Sequence, residues 1–314
     1  MPETFSTVYY LVAGSVLLWF GAETFVRCSS ALALRMGLTP LAVGLTVVAL
    51  GTSAPELGVS LLSTMRGLGD VATGNVVGSN IANIGLILGL AALIRPIRIE
   101  AQLLRLDLPV LIGASVLVTF LFRDGTLSRI EGAVLVLLLL GYLGFALRKA
   151  RIEADVPVPA TGEQTRRQPL LVVLGLVFVG VTMLAMGSFA FVNGAEDLAI
   201  QVGVSPAIVG LTIVALGTSL PEMATSLVAA YRGQGDIAVG GVVGSNVFNL
   251  FAILGITALM RPVGRGAVDF VSFGTMIGLA VLLVPVMRTG FRINRLEGAG
   301  LLVIYIAYIA WLVP

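Results

Sequence analysis

Two acidic residues, Glu56 and Glu222, lie in the middle of long apolar segments of this 314-residue chain. A carboxylate in an apolar interior costs several kcal/mol unless it is protonated, paired with a positive group or bound to a cation. The segments that contain them, 40–65 and 206–231, have no Lys or Arg. The two residues therefore predict a buried cation site. A protonated, hydrogen-bonded glutamate that only packs helices together is the alternative.

Each glutamate directly follows a proline that opens the helical backbone. Pro55 and Pro221 have no N–H group to bond the carbonyl oxygen four residues earlier, and their rings clash with it. We therefore expect carbonyl groups over 49–52 and 215–218 to leave the helical ladder, which is tolerated at membrane depth where they line a cavity or bind something. Hydroxyl groups enlarge this oxygen shell, and they belong to Thr52, Ser53, Thr218 and Ser219. Such a shell suits hard cations like Ca²⁺ and Na⁺ better than transition metals.

A second set of polar residues occurs in the apolar segment that follows each glutamate. Its members are four residues apart and so project from one face of a helix. The pairs are Ser79 with Asn83 and Ser245 with Asn249. We expect them to add neutral oxygen ligands. Asn80 and Asn246 lie one residue away from that face and are expected to form interhelical or backbone hydrogen bonds.

The polar residues recur because the sequence contains an internal duplication. Residues 37–96 align without a gap to 203–262 at a constant offset of 166 (the repeat offset), and 35 of the 60 positions are identical. The first copy contains GLTVVALGTSAPE and GNVVGSNIAN, and the second contains GLTIVALGTSLPE and GGVVGSNVFN. A hairpin duplicated only for packing would retain its hydropathy but would not need the same polar residues. The duplication therefore favours a function for these residues.

The composition is typical of a polytopic membrane protein. Hydrophobic residues make up 57% of the chain, charged residues 11%, and the mean hydropathy is +1.03, whereas a soluble domain averages roughly 25% charged residues. The chain has no His and one Cys, which excludes His-based metal sites, catalytic triads and an intramolecular disulfide. The net charge of +2, without a basic arm, gives no indication of nucleic-acid binding.

Apolar runs and helix breakers predict ten transmembrane helices, five in each half of the chain. The spans lie near 7–35, 40–65, 70–94, 104–122, 129–148, 169–201, 206–231, 236–260, 267–287 and 294–312. The chain divides accordingly into an N-terminal half (1–148, with the repeat 37–96), a polar linker (149–168) and a C-terminal half (169–314, with the repeat 203–262). We expect an all-α fold in which helices 2, 3, 7 and 8 are broken or interrupted by proline.

The odd number of helices in each half predicts the orientation of the repeats. The second copy must enter the membrane from the opposite side, as in many secondary transporters whose sites lie near the midplane. Thirteen Lys and Arg residues lie on the side of the linker and five on the other, with Arg27 inside the first span set aside. The positive-inside rule then predicts a cytoplasmic linker and external termini. Glu23 and Arg27, four residues apart in the first span, are expected to form an ion pair.

The paired G-[ST]-S-x-P-E and G-S-N-x-x-N segments resemble the α-repeats of the cation/Ca²⁺ exchanger superfamily, and in particular those of the prokaryotic sodium/calcium exchangers. The two repeats together cover more than a third of the chain. The resemblance implies that Glu56 and Glu222 are carboxylates shared by Ca²⁺ and Na⁺. It implies further ligands through hydroxyl, amide or backbone carbonyl oxygens, namely Thr52, Ser53, Thr218, Ser219, Ala49, Ala215, Ser79, Asn83, Ser245 and Asn249. It also implies that the first and sixth helices slide as a long, tilted pair over the other helices.

The resemblance implies a secondary antiporter rather than an enzyme. Such a protein would exchange Na⁺ for Ca²⁺ by alternating access and extrude Ca²⁺ with the Na⁺ gradient. It would need no cofactor, would bind only Ca²⁺, Na⁺ and lipid, and would work as a monomer in the cell (inner or plasma) membrane.

The sequence leaves other functions to consider. A Ca²⁺/H⁺ antiporter, or another cation/proton antiporter, of the same superfamily is the alternative, although the GNxxE-type segment of that branch is not matched where Val-Val-Gly follows Gly74 and Asn75. Some relatives carry Asp at the position of Asn249, which leaves the stoichiometry open. A cation channel, an intramembrane hydrolase and a purely structural membrane protein fit the duplicated glutamates less well.

Overall fold

The computed structural model describes residues 2–152, 168–201 and 215–312, most of them in helices. The first half contains α1 (Pro2–Met36), α2 (Pro40–Thr52), α3 (Ala54–Met65), α4 (Gly69–Ile94), α5 (Leu103–Asp124) and α6 (Arg129–Ile152). The second half contains α7 (Leu170–Gln201), α8 (Ala215–Gly217), α9 (Leu220–Tyr231), α10 (Gly235–Met260), α11 (Phe270–Arg288) and α12 (Arg295–Leu312).

Eight helices of the described residues are long and apolar enough to cross a membrane, and the number is nine when the bent pair α2 and α3 is counted as one span. The ends of these nine spans agree with the predicted ends to within a few residues. The predicted helix 206–231 is represented by α8 and α9, and its residues 206–214 lie outside the described residues. α6 continues to Ile152, beyond the predicted start of the linker, and 153–167 also lie outside the described residues. The chain is thus a mostly helical integral membrane protein.

The second span bends by 44° between α2 and α3. Ser53 has non-helical backbone angles at the bend, and Pro55 lies in the first turn of α3, where an N–H group would have no partner within the new helix. Ser219 and Pro221 occupy the same places before and within the first turn of α9. The prolines therefore break these helices one turn before each glutamate, as predicted from the sequence.

The predicted interruption of helices 3 and 8 is wrong. α4 and α10 are continuous and contain no proline, and each instead contains a π-helical stretch (Asn83–Leu88 in α4 and Asn249–Ile253 in α10). A π-helical stretch accommodates an extra residue while keeping the backbone hydrogen-bonded, and it is frequent at functional sites. In both helices this stretch begins at an asparagine that was singled out as a candidate ligand.

Four two-residue strands also depart from the all-α prediction. They are β1 (Ile97–Arg98), β2 (Thr126–Leu127), β3 (Val263–Gly264) and β4 (Arg292–Ile293), and β1 pairs with β4 while β2 pairs with β3, both antiparallel. The repeat offset converts β1 into β3 and β2 into β4, so the two pairings are equivalent. Each short ladder joins one half of the chain to the other outside the helices.

The two longest helices, α1 and α7, pack against each other along their length. Glycines seven residues apart on each helix permit this close approach. A Cβ atom on Gly14 would lie 2.5 Å from the backbone nitrogen of Phe191, and one on Gly187 would lie 2.8 Å from that of Leu18. Any side chain at these positions would push the helices apart, so α1 and α7 form a tightly joined pair.

The helices that follow the glutamates lie at the centre of the molecule. Within their most apolar windows, 94% of α10 and 72% of α4 are buried, compared with 28% of α6 and 17% of α12. The outer helices therefore present apolar side chains to the lipid, and the two inner helices form the wall against which the broken helices pack.

Candidate cation site

Glu56 and Glu222 meet at the centre of the molecule. Their side chains are 0% and 2% exposed, and the two carboxyl groups interact directly. Each lies in the first turn of the helix that follows a break, α3 for Glu56 and α9 for Glu222. The arrangement places two acidic groups side by side in the interior, which demands compensation by protons or cations.

Serine hydroxyl groups at the two breaks cross over between the halves. Ser53 Oγ donates to Glu222 Oε1 at 2.9 Å, and Ser219 Oγ lies 3.4 Å from Glu56 Oε1. These two contacts are related by the repeat offset. Each glutamate is therefore oriented by the broken helix of the other half.

The hydroxyl groups of the inner helices extend this cluster. Ser219 Oγ also lies 3.1 Å from Ser79 Oγ on α4, and Thr52 Oγ1 lies 3.4 Å from Ser245 Oγ on α10. Both inner serines are buried, at 4% exposure for Ser79 and 0% for Ser245. The structure thus brings together the hydroxyl residues that the sequence singled out on both sides of the molecule.

The asparagines lie one turn further along α4 and α10. Asn83 Nδ2 donates to Asn246 Oδ1 at 2.8 Å, and Asn246 Nδ2 reaches the backbone oxygen of Asn80 at 3.3 Å. Asn80 Nδ2 bonds within its own helix to Val76 O at 2.7 Å. The predicted structural role of Asn80 and Asn246 in interhelical and backbone hydrogen bonds is confirmed. Asn249 is fully buried, and its amide makes no hydrogen bond within the described residues.

Several buried oxygen atoms of this region have no hydrogen-bond donor among the described residues. They are Glu56 Oε2, Glu222 Oε2, Asn80 Oδ1, Asn83 Oδ1 and Asn249 Oδ1. Buried polar atoms in proteins are nearly always paired, so a group of unpaired oxygens needs an explanation. Carboxylate and amide oxygens are ligands of hard cations, and a bound cation would satisfy those of the candidate ligands Glu56, Glu222, Asn83 and Asn249.

The expected release of the Ala49 carbonyl is wrong. Ala49 O accepts a hydrogen bond from Ser53 N at 3.0 Å and so stays in the helical ladder. Pro55 withdraws a donor only from the residue four positions earlier, which is Gly51. In the second half Ser219 N donates to Leu216 O at 3.1 Å rather than to Ala215. The two breaks therefore differ in their backbone bonding.

Two residues that contact the site were not singled out as functional from the sequence. Asn75 on α4 accepts a hydrogen bond from Thr218 Oγ1 at 3.2 Å, and Ser188 on α7 donates to Gly217 O. Neither residue is repeated in the other copy, because the repeat offset places Gly241 and Ala22 at the equivalent positions, so polar identity between the copies gives no signal for them. A comparison of where the copies differ would have pointed to them.

A cavity of about 250 Å³ adjoins the second half of the site. It lies between α7, α4 and the break between α8 and α9, and Ser219 is at its wall. The remaining wall is mostly apolar and includes Phe191, Val192, Leu86 and Met223. The cavity extends from α7 to the break that precedes Glu222.

A third buried carboxyl group lies outside the site. Asp107 on α5 is 0% exposed and accepts a hydrogen bond from the Tyr142 hydroxyl on α6 at 3.0 Å. Its position in an apolar span could have been recognised from the sequence. Because its counterpart under the repeat offset is Phe273, it does not follow the symmetry of the glutamate pair.

Comparison with known proteins identifies the class to which this architecture belongs. The family profile described as sodium/calcium exchanger protein matches residues 6–148 and 172–313. The chain is 30% identical over 337 residues to sodium/calcium exchanger MaX1 of Methanosarcina acetivorans, with 95% of this chain and 96% of that protein covered. It is 36% identical over 318 residues to inner membrane protein YrbG of Escherichia coli, with 97% of each covered.

A solved structure of a sodium-calcium exchanger has the same fold as this chain. The sodium-calcium exchanger NCX_Mj, soaked with Na⁺ and Sr²⁺, superimposes with a TM-score of 0.85 and 30% sequence identity over 98% of both chains. The chain is therefore a transmembrane antiporter. It belongs to the sodium/calcium exchanger family, which confirms the resemblance found in the two repeats.

Proposed function

We propose that this protein exchanges Na⁺ for Ca²⁺ across the cell membrane by alternating access and extrudes Ca²⁺ with the Na⁺ gradient. The observation that carries the proposal is the buried pair Glu56 and Glu222, each with one carboxylate oxygen that has no donor among the described residues. The ions would be held by these carboxylates and by the surrounding oxygens of Thr52, Ser53, Thr218, Ser219, Ala49, Ala215, Ser79, Asn83, Ser245 and Asn249.

Charge balance at the glutamate pair explains why exchange is coupled. Two carboxylates bring a charge of −2, which one Ca²⁺ or two Na⁺ neutralise, and a third Na⁺ can bind through neutral oxygens. A site without cations retains a buried charge whose cost is not offset. The conformational change therefore favours a loaded site, and because both ions need the same glutamates they compete for it.

The arrangement proposed around this site is a pair of inverted five-helix repeats with ten spans. The equivalent strand pairings β1 with β4 and β3 with β2 support it, as do the breaks at Ser53 and Ser219. The distribution of Lys and Arg supports external termini and a cytoplasmic linker at 149–168. The tight packing of α1 on α7 supports their movement as one unit. We further propose that the monomer is the functional protein.

The test is ⁴⁵Ca²⁺ uptake into proteoliposomes loaded with Na⁺. We expect Glu56→Gln and Glu222→Gln to abolish Na⁺-dependent uptake, because neutralising either carboxylate removes half of the charge that balances Ca²⁺. Asp107→Asn is the matched control, since it neutralises a buried carboxyl group outside the site and should retain uptake. Uptake at the wild-type rate by both glutamate variants would refute the proposal.

The same vesicles separate the proton-coupled alternative from Na⁺ coupling. Two carboxyl groups in direct contact can also exchange a divalent cation for protons. Na⁺, H⁺ and K⁺ gradients are therefore imposed one at a time. We expect uptake only with the Na⁺ gradient, and uptake driven by a pH gradient alone would favour the Ca²⁺/H⁺ antiporter.

A further inference from the structure

The segment Gly217–Thr218, next to the Ser219–Glu222 part of the site, is held from two sides by polar side chains. Ser188 on the long helix α7 donates from Oγ to the backbone oxygen of Gly217. Asn75 on the inner helix α4 accepts from Thr218 Oγ1 at 3.2 Å. Two different helices, α7 and α4, therefore bond to the same two-residue segment.

The Ser188 bond replaces the hydrogen bond that proline removes. Pro221 lies four residues after Gly217 and cannot donate to its carbonyl oxygen. Ser188 is only 7% exposed, and its hydroxyl group satisfies that oxygen in an interior where an unpaired carbonyl is costly. Gly217 permits the approach of α7, because a Cβ atom there would clash with a methyl carbon of Val192.

The Asn75 bond connects the two halves of the site. Asn75 Nδ2 reaches Ser60 Oγ at 3.0 Å and the backbone oxygen of Glu56 at 3.3 Å. Its Oδ1 atom accepts from Thr218 at the same time. One amide thus connects the helix turn that carries Glu56 to the break of the other half.

The first half of the molecule has neither of these bonds. The repeat offset places Ala22 where Ser188 stands and Gly241 where Asn75 stands, and neither Ala nor Gly has a polar side-chain atom. Thr52, the counterpart of Thr218, donates back to Val48 O at 3.0 Å within its own helix. The two halves are nearly identical in ligand residues, but different groups hold them in place.

We propose that Asn75 and Ser188 are positioning residues that hold the break before Glu222 in the geometry that Ca²⁺ requires. The inference rests on the proposed exchange function and adds to it two residues that position the ligands of the second half. Ca²⁺ gathers six to eight oxygens around one centre, so its binding depends on many ligands being in place together. Each Na⁺ uses only part of the ligand set, so its binding depends less on these two bonds.

Ser188→Ala and Asn75→Gly remove the two bonds, and Asn75→Gly installs the residue of the other repeat. We expect each to raise the KM for Ca²⁺ about tenfold, in the range found when groups that orient metal ligands are removed. The KM for Na⁺ should change less than about threefold, and the maximal rate should stay near that of the wild type. Both constants are measured by ⁴⁵Ca²⁺ exchange in proteoliposomes, and Ca²⁺- and Na⁺-dependent thermal stabilisation of the detergent-solubilised protein gives an equilibrium check.

Two further variants separate positioning from general structure. Ser115→Ala removes a buried serine hydroxyl that bonds to Leu111 O at 2.9 Å inside α5, away from the site, and should leave both KM values unchanged. Ser188→Thr keeps a hydroxyl group and should restore Ca²⁺ affinity. Equal shifts for Ca²⁺ and Na⁺, or values for Ser188→Ala that match Ser115→Ala, would overturn the positioning role while wild-type exchange persists. A wild-type protein that neither exchanges nor binds Ca²⁺ would instead overturn the proposed function and this inference with it.

Discussion

At Asn249, ion binding and folding favour different side chains. It is fully buried and its amide makes no hydrogen bond within the described residues, whereas its counterpart Asn83 donates to Asn246. An unsatisfied buried polar group costs about 1–3 kcal/mol of folding free energy. Asn249 lies one turn from Ser245, and a bound cation that satisfies its side-chain oxygen explains why an amide with this folding cost is present.

Replacement of Asn249 by Leu should therefore stabilise the protein that has no ion bound. We expect Asn249→Leu to raise the free energy of unfolding by about 1–3 kcal/mol in chelator without Na⁺, because it removes an unpaired amide and keeps the number and branching of the side-chain heavy atoms. The stabilisation that added Ca²⁺ gives the wild type should fall. Thermal unfolding in detergent measures both effects.

The control for Asn249→Leu is the same change at Asn83. Asn83→Leu removes the donor to Asn246 Oδ1 and leaves that buried oxygen unpaired, so it should lower stability. Equal destabilisation by the two substitutions would mean that Asn249 has a protein partner in the folded state.

The residues of the site could be predicted from the sequence only where the two copies agree. Glu56, Glu222 and the hydroxyl residues follow from identical polar positions in apolar segments. Asn75 and Ser188 could not be predicted in this way, because their counterparts are a glycine and an alanine and their roles depend on contacts across the molecule. The release of the Ala49 carbonyl from the helix was predicted wrongly. Pro55 removes the donor only of the carbonyl four residues earlier, which is that of Gly51.

At the scale of elements, an ion pair fixes α1 to the turn that follows α9. Glu23 bonds Arg27 on its own helix, as predicted, and it also accepts from Arg232 Nε at 2.9 Å. One turn away, the rings of Trp19 and Tyr231 are 6.1 Å apart in an edge arrangement. The contact therefore joins one of the two long helices to the core at one end of the broken span.

The repeat does not reproduce this contact on the other long helix. The repeat offset places Phe189 at the position of Glu23 and Arg66 at the position of Arg232. Phe189 is 72% exposed, and α7 makes few contacts with α3, the counterpart of α9. If the inverted repeats exchange roles between the two end states, the ion pair stabilises only one of them.

Breaking this pair should shift the balance between the end states. We expect Arg232→Gln to change the KM for Ca²⁺ on the two membrane faces in opposite directions, by about twofold to fivefold, as fits a partly exposed pair worth up to about 1 kcal/mol. ⁴⁵Ca²⁺ exchange in right-side-out and inside-out vesicles measures the two constants. Glu23→Gln should act alike, and the double variant should be no worse than either single one.

Arg27→Gln is the matched control for Arg232→Gln. It also removes a partner of Glu23, but Arg27 lies on the same helix as Glu23, so their bond does not join α1 to the core. We expect it to leave the ratio of the two KM values unchanged. Shifts of the same size from Arg27→Gln would show that the charge of Glu23, and not its bond to the turn, sets the balance.

The helices could be predicted from sequence to within a few residues, because apolar runs of membrane length and prolines near their ends are local signals. The π-helical stretches at Asn83 and Asn249 and the four short strands could not. A π-helical stretch has no composition of its own, and two-residue strands such as β1 form only because the folded halves bring their backbones side by side. The interruption expected in α4 and α10 rested on the local sequence alone. Tertiary packing decides the backbone geometry of these two buried helices.

At the scale of the whole molecule, the charge that crosses the membrane follows from the charge of the site. Five helix segments surround Glu56 and Glu222, and these segments, α2, α3, α4, α9 and α10, contain no Lys or Arg. The protein therefore contributes −2 and no fixed counter-charge. With Ca²⁺ bound the site is neutral, and with three Na⁺, the third held by neutral oxygens such as Asn249 Oδ1, it carries +1.

Exchange of three Na⁺ for one Ca²⁺ should therefore respond to the membrane potential. One net charge per cycle adds about 2.3 kcal/mol for each 100 mV, which changes the Ca²⁺ ratio that the vesicles reach by about 50-fold. The potential is set with K⁺ and valinomycin in proteoliposomes at a constant Na⁺ gradient, and ⁴⁵Ca²⁺ is followed to its plateau, with vesicles lacking the ionophore as the control. A plateau that does not change with the potential would assign two Na⁺ to each Ca²⁺, and the two carboxylates alone would then account for the whole cation load.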